Sequence, residues 1–269
     1  MGKLPDAARI GTVDLNVADL DRALRFYRDT LGWREHGRRD GVVELGADAT
    51  FLRLHHTPDA RPRGRGEAGL YHVAYLLPSR ADLGALLHHL VRARYPLEGA
   101  SDHAVSEALY LSDPEGNGIE IYADRARDEW PRTGERIDMT TQPMDVQGVL
   151  AEGAGRAWGG APDGARVGHV HLQVNDVPAA ERFYRDVVGL DLVTRYGAQA
   201  SFLSAGGYHH HVAVNGWGTA GGAPAQPGTL GLRSFELAVP RDALDETAAR
   251  LGGEEARDPA GNVVRVVRA

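Results

Sequence analysis

Cysteine is absent from all 269 residues of the chain. Its absence excludes disulfide bonds, thiolate nucleophiles, iron–sulfur clusters and thiolate metal ligands. A metal ion in this protein would therefore be held by histidine and carboxylate side chains, and the sequence has 12 histidines and 37 aspartates and glutamates. These are the ligand types that bind iron, manganese or zinc without thiolate.

Long hydrophobic runs and a basic stripe are also missing. No apolar stretch approaches the roughly 18 residues that indicate a transmembrane helix, and the first residues lack a signal-peptide core. Acidic and basic residues are intermixed and give a formal net charge of −7, which argues against a nucleic-acid surface. We therefore expect a cytoplasmic protein that binds neither nucleic acid nor a membrane.

Two segments of the chain repeat one another without a gap. Residues 10–33 read IGTVDLNVADLDRALRFYRDTLGW, and residues 167–190 read VGHVHLQVNDVPAAERFYRDVVGL. Each begins with an alternating strand, and Asp19 or Asp176 stands just ahead of an amphipathic helix as its N-cap. The Phe-Tyr pair within each helix predicts that the helix packs on a sheet.

A second repeat relates residues 70–122 to residues 230–267. Each copy has a strand, a helix, and an Asp-Pro turn that leads into a last strand, SDPEGNGIEIY or RDPAGNVVRVV. The second copy is shorter and has lost a strand or a loop. The chain thus contains four strand–helix–strands units, here called modules one to four. Modules one and two form a domain at 8–125, modules three and four form another at 166–269, and a connector at 126–165 joins them.

Module two carries the most informative motif. His103 is followed by Tyr110, an Asp-Pro-x-Gly turn that begins at Asp113, and Glu120. Proline and glycine suit the turn, and strand alternation points Glu120 away from its isoleucine neighbours. This spacing resembles the signature of type I extradiol ring-cleavage dioxygenases, catechol 2,3-dioxygenase-like members of the vicinal oxygen chelate (glyoxalase–bleomycin resistance) superfamily.

The resemblance implies a fold, a cofactor and a reaction. The fold would be α+β, with four βαβββ-type modules, the last shortened, that form the two cupped mixed sheets of the vicinal oxygen chelate fold. Glu120 would bind Fe(II), with Mn(II) as the alternative, and His103 and Tyr110 would line the substrate pocket. The substrates would be a catechol-type compound and O₂, and the ring would open to a muconic-semialdehyde-type product.

Histidines accumulate in modules two and three. His72 lies on the opening strand of module two, and His169 and His171 lie on one face of the opening strand of module three. Farther along module three, His209, His210 and His211 follow one another. We expect these three to lie on a strand, with His209 and His211 on one face and His210 on the other.

The corresponding positions in modules one and four carry poor metal ligands. Thr12, Ser234 and Arg265 stand where modules two and three have histidine or glutamate. Sequential pairing of the modules would leave two incomplete half-sites. We therefore predict that modules two and three pair around one metal, and that module one pairs with module four.

With this pairing, His72, His169 and Glu120 would form a two-histidine, one-carboxylate triad of the kind that binds non-heme iron. By the resemblance, His210 would take or hand on a substrate proton. His209 is the alternative, because a shift of one residue in strand register exchanges the two.

Two other functions fit the same fold. One is a glyoxalase-like metal-dependent isomerase or lyase, and the other is a metal-free binding protein of the bleomycin-resistance type. The exposed edges of the predicted sheets are also compatible with a homodimer.

Overall fold

The computed structural model describes residues 3–134 and 136–269. The strands are β1 (Arg9–Val17), β2 (Arg34–Arg39), β3 (Val42–Gly46), β4 (Thr50–His56), β5 (Gly69–Leu77), β6 (Gly99–Asp102), β7 (Ser106–Ser112), β8 (Gly118–Asp124), β9 (Arg132–Thr133), β10 (Arg136–Ile137), β11 (Gln142–Pro143), β12 (Arg166–Gln173), β13 (Asp191–Tyr196), β14 (Ala200–Ser204), β15 (Val212–Asn215), β16 (Gly231–Val239), β17 (Glu255–Arg257) and β18 (Val263–Arg268). The helices are α1 (Leu20–Leu24), α2 (Arg80–Ala93), α3 (Val146–Glu152), α4 (Val177–Arg182) and α5 (Arg241–Leu251).

Two mixed sheets dominate the architecture. The larger has nine strands in the order β11-β6-β7-β8-β5-β12-β15-β14-β13, and the smaller has seven in the order β17-β18-β16-β1-β4-β3-β2. A two-stranded ribbon pairs β9 with β10. Each large sheet has an antiparallel pair at its centre, β5 with β12 and β1 with β16. The α+β fold class that the resemblance implies is confirmed.

Each sheet combines strands from both halves of the sequence. The nine-stranded sheet combines β5 to β8 of module two with β12 to β15 of module three, and the seven-stranded sheet combines modules one and four. Module four contributes only β16, β17 and β18. The central pair of the larger sheet therefore places the opening strands of modules two and three side by side.

The repeated helices begin and end as their sequences indicate. Asp19 and Asp176 accept hydrogen bonds from backbone N–H groups three residues on, which caps α1 and α4. Both helices continue directly as π-helical segments, Arg25–Thr30 and Phe183–Val188, which contain the Phe-Tyr pairs. One hydrophobic cluster, which includes both of these tyrosines, extends through the helices and both sheets. No helix in the described ranges has the length and apolarity to cross a membrane.

The connector is packed against the rest of the chain. Its helix α3 crosses α2 at Gly84, where a Cβ atom would lie 2.2 Å from the carbonyl oxygen of Val149. Farther on, Trp158 Nε1 donates to the carbonyl oxygen of Leu31 over 2.9 Å. Its strand β11 pairs with β6 at one edge of the nine-stranded sheet. The connector therefore extends the sheet that carries the motif of module two.

Candidate metal centre

Three buried side chains from different parts of the sequence meet at the centre of the nine-stranded sheet. His72 lies on β5, Glu120 on β8 and His169 on β12, and these strands are neighbours. The Oε2 atom of Glu120 lies 3.0 Å from His72 Nε2 and 3.3 Å from His169 Nε2. One ligand atom from each of the three residues lies within 4.8 Å of the other two.

The electrostatics of this cluster favour an ionised Glu120 beside a neutral His169. Burial alone would raise the pKa of Glu120, but His169 and His72 hold that pKa well below its usual range. Burial lowers the pKa of His169 to about 4, although Glu120 opposes the shift. An ionised carboxylate and unprotonated imidazoles are the forms that bind a metal ion.

The geometry of the cluster fits a divalent metal. Two ligands about 2.1 Å from one metal, at a right angle, lie about 3 Å apart, which matches both distances to Glu120. The buried Nε2 of His72 also forms no hydrogen bond to any described residue, despite its nearness to Glu120. A shared cation would satisfy both atoms, so the residues present are compatible with a metal ion.

A cavity of about 350 Å³ opens beside these residues. Besides the three candidate ligands, it is lined by His103, Tyr110, His171 and His210 and by several aromatic and hydroxyl side chains. Glu120 is its only carboxylate within the described part of the chain. This volume is at the small end of the range for ligand pockets, about 300–1,000 Å³. It is large enough for a small-molecule ligand.

His103 and Tyr110 form a connected pair on the wall of the cavity. His103 Nε2 lies 2.6 Å from the hydroxyl of Tyr110, and His103 Nδ1 lies 2.8 Å from the carbonyl oxygen of Thr140. Because a carbonyl only accepts, Nδ1 carries the hydrogen, and in a neutral His103 the Nε2 atom accepts from Tyr110. Burial raises the pKa of Tyr110 well above its usual value, so it stays a hydroxyl. The connector thus orients His103 through Thr140.

The three consecutive histidines do not lie on a strand, so the expectation of strand alternation was wrong. They lie in bends between the Gly206-Gly207 turn and β15, which begins at Val212. Both glycines have positive φ, so the chain reverses there and resumes strand geometry only after His211.

Of these three histidines, only His210 lines the cavity beside the candidate ligands. Its ring lies against that of His169, with 3.9 Å between ring centroids. His209 packs behind it among aromatic rings. His211 Nδ1 accepts from the backbone N–H of Ala205 over 3.2 Å and lies 3.0 Å from Ser204 Oγ. His211 lines a different cavity. The backbone bends therefore send the three side chains to three different environments.

Asp124 is a polar residue near the site that sequence reasoning missed. It ends β8, and its Oδ1 lies 3.0 Å from His209 Nε2. A carboxylate at the end of a strand is most often solvated, so the sequence gives no signal for this contact. The only hint is spacing, because Glu120, Tyr122 and Asp124 alternate along one face of the strand.

The corresponding region of the seven-stranded sheet contains ion pairs. Buried Asp14 lies 2.6 Å from His55 Nε2 and accepts from Ser234 Oγ over 3.2 Å. Arg53 lies 3.6 Å from Asp14 and 2.7 Å from Glu236. A guanidinium group supplies the positive charge there, so these carboxylates are already compensated.

The chain belongs to the Glyoxalase/Bleomycin resistance protein/Dioxygenase superfamily, whose model matches residues 9–121 and 166–259. It is 41% identical over 258 residues to a protein of Bacillus subtilis (strain 168) named catechol-2,3-dioxygenase. The alignment covers 93% of this chain and 90% of that protein.

Two further similarities are more distant. The chain is 33% identical to biphenyl-2,3-diol 1,2-dioxygenase 2 of Rhodococcus globerulus over 86 residues. This alignment covers 28% of this chain and 43% of that protein. The crystal structure of glyoxalase I from Zea mays superposes with a TM-score of 0.58 at 15% identity, over 97% of this chain and 92% of that one. At this identity the structural likeness supports the fold alone.

Proposed function

We propose that this protein is an Fe(II)-dependent extradiol dioxygenase that cleaves a catechol-type ring. The observation that supports this most strongly is the meeting of His72, Glu120 and His169 beside a cavity that also contains His103, Tyr110 and His210. The near-full-length similarity to a protein named catechol-2,3-dioxygenase supports the same reaction. O₂ would add both of its atoms across a ring bond next to the diol and give a muconic-semialdehyde-type product.

The proposed ligands are His72, His169 and Glu120, which leave part of the metal's coordination sphere open toward the cavity. A bound Fe(II) would supply sites for both catechol oxygens and O₂ and would carry electrons between them. Mn(II) has the same preference for nitrogen and oxygen ligands and is the alternative. Sequence halves 8–125 and 166–269, joined by the connector 126–165, would each contribute part of this single site.

His210 is proposed to take a proton from a substrate hydroxyl. Its ring lies against His169 and Phe202 on the wall of the cavity, and burial lowers its pKa well below the usual value. A neutral imidazole at this place has a lone pair for the incoming proton. His209, the alternative from sequence, is held behind His210 and does not line this cavity.

His103 and Tyr110 are proposed to orient the substrate. Tyr110 lies opposite Glu120 in the pairing of β7 with β8, so its hydroxyl is next to the proposed metal position. The hydrogen bond to His103 fixes that hydroxyl. Because burial raises the pKa of Tyr110, its protonated hydroxyl can contact a substrate oxygen without adding charge to the cavity.

The proposal is tested by anaerobic loading of the purified chain with Fe(II), addition of catechol, and then admission of O₂. We expect a yellow ring-opened product, O₂ uptake equal to product formed, and one metal equivalent per chain. A parallel sample loaded with Mn(II) tests the alternative metal. Metal binding without turnover of any catechol, but with isomerisation of a hemithioacetal, would instead support a glyoxalase-like enzyme. Failure to retain metal would support a metal-free binding protein.

A further inference from the structure

A short chain of hydrogen bonds leads from His210 away from the cavity. His210 Nδ1 lies 2.8 Å from His209 Nδ1, and His209 Nε2 lies 3.0 Å from Asp124 Oδ1. The Oδ2 atom of Asp124 accepts from the hydroxyl of Tyr208 over 3.0 Å, and this hydroxyl lies 2.7 Å from that of Tyr122. Both oxygens of Asp124 are therefore engaged.

The donors and acceptors of this chain follow from the chemistry of its ends. A carboxylate only accepts, so His209 Nε2 carries a hydrogen. In a neutral His209 this is the single N–H group, so Nδ1 has a lone pair and the hydrogen between the two Nδ1 atoms belongs to His210. The remaining His210 nitrogen, Nε2, then has no hydrogen and accepts no bond from any described residue.

Asp124 is well placed to impose this order. It lies on the same strand as Glu120, four residues on and on the same face. The strand thus fixes the proposed ligand and the end of the hydrogen-bond chain relative to one another. The Asp124 side chain is 22% exposed and does not line the metal cavity, so its effect on the reaction would pass through His209.

We propose that Asp124 is a positioning residue that acts through His209 to keep the Nε2 atom of His210 free of hydrogen and available to the cavity. In the serine-protease triad, a carboxylate behind the histidine sets its tautomer, and replacement of that carboxylate by an amide costs about 10⁴-fold in kcat. Here one more imidazole separates the carboxylate from the reacting group. We therefore expect a loss of about 10–100-fold, the usual effect of an outer-shell partner.

The proposal extends the function proposed above, because the group that His210 would deprotonate is a catechol hydroxyl. The hydrogen positions themselves can be measured without catalysis. Long-range ¹H–¹⁵N correlation spectra of the metal-free, ¹⁵N-histidine-labelled protein should show His209 protonated at Nε2 and His210 at Nδ1. Protonation of His210 at Nε2 in the wild-type chain, or of both His209 nitrogens, would overturn the proposal.

Two variants separate positioning from packing. Asp124→Leu has a similar volume and no acceptor, and it should give mixed His210 tautomers and a kcat about 10–100-fold lower, with KM and metal content unchanged. Asp124→Glu retains a carboxylate that can only accept, and it should restore most of kcat and the wild-type spectrum. Tyr208→Phe removes the hydrogen bond from the Tyr208 hydroxyl to Asp124 Oδ2. It should leave both kcat and the His210 tautomer as in the wild type.

The outcomes distinguish this inference from the proposed function. An Asp124→Leu variant that matches Tyr208→Phe in kcat and in its spectrum would contradict the positioning role. Should Asp124→Leu fail to fold, the wild-type spectrum alone decides the hydrogen positions. A wild-type protein that shows the expected tautomers but converts no catechol would contradict the dioxygenase function and leave the positioning role supported.

Discussion

Glu120 supplies the only negative charge among the described residues that line the metal cavity. Its replacement in Glu120→Ala leaves two imidazoles, so we expect metal affinity to fall by more than about 100-fold, beyond the usual outer-shell effect. Metal content after anaerobic reconstitution and gel filtration measures the loss. The control is Glu98→Ala, which changes an exposed glutamate directly before β6. It should retain one metal equivalent. Full retention by Glu120→Ala would show that the metal binds elsewhere.

His210→Ala should separate catalysis from metal binding. Because His210 would move a proton and would not hold the metal, we expect one metal equivalent to remain and kcat to fall by about 10²–10⁴-fold. His36→Ala, which changes an exposed histidine on β2, is the matched control and should leave both values unchanged. Loss of metal in His210→Ala would identify that residue as a ligand.

Sequence alone could name some of these residues and could not name others. His72, His169 and Glu120 stand out because the repeats leave them without counterparts in modules one and four. The side of the chain to which His210 points could not be derived, since strand alternation does not apply to the bends at 209–211. Asp124 could not be found either, because its partner His209 lies 85 residues away in sequence.

At the scale of elements, each Asp-Pro turn is tied to a helix of the module before it. Asp113 accepts from the hydroxyl of Tyr27 over 2.9 Å, and Asp258 accepts from Tyr184 over 3.1 Å. Each pair bridges the two sheets, because its helix and its turn belong to modules in different sheets. The sequence predicts that these tyrosines are core residues, and the structure adds a specific hydrogen bond to each.

Removal of either hydroxyl should weaken the fold. Burial raises the pKa of Asp113 and of Asp258, because it disfavours the charged carboxylates. The hydrogen bonds from Tyr27 and Tyr184 stabilise these carboxylates and offset part of that effect. We expect Tyr27→Phe and Tyr184→Phe each to lower the free energy of unfolding by about 1.5–3 kcal/mol, typical of a hydrogen bond to a charged group. Midpoints of urea unfolding, followed by circular dichroism, measure the change.

Tyr75→Phe is the matched control for these two variants. The Tyr75 hydroxyl is buried and has no hydrogen-bond partner among the described residues. Its removal should therefore leave the free energy of unfolding unchanged or raise it. A loss equal to that of Tyr27→Phe would show that both effects come from packing rather than from the hydrogen bond.

At the scale of the whole molecule, buried neutral histidines make stability depend on pH. Burial lowers the pKa of His169 to about 4 and that of His211 to about 3, whereas unfolded histidine titrates near about 6.5. Below that pH the unfolded chain binds protons that the folded chain does not. The free energy of unfolding should therefore fall as the pH decreases from about 6.5 toward 3.

Urea midpoints of the metal-free protein between pH 7.5 and pH 4.5 test this dependence. His211→Gln should make the urea midpoint depend less on pH, because it removes one group whose pKa differs between the folded and unfolded states. His36→Ala, at an exposed site, should leave the slope unchanged. An unchanged midpoint across this range in the wild-type protein would contradict the expectation.

The division of both sheets between the two halves of the sequence also affects which strands are unpaired while the chain emerges from the ribosome. Strand β5 is made early, but its neighbour β12 begins at Arg166, after the whole connector. At about 5–20 residues per second, the central edge of the future metal sheet stays unpaired for about 5–20 seconds. Unpaired apolar edges promote association between chains, so in this protein the strand that carries His72 is open to neighbouring nascent chains until module three has been made.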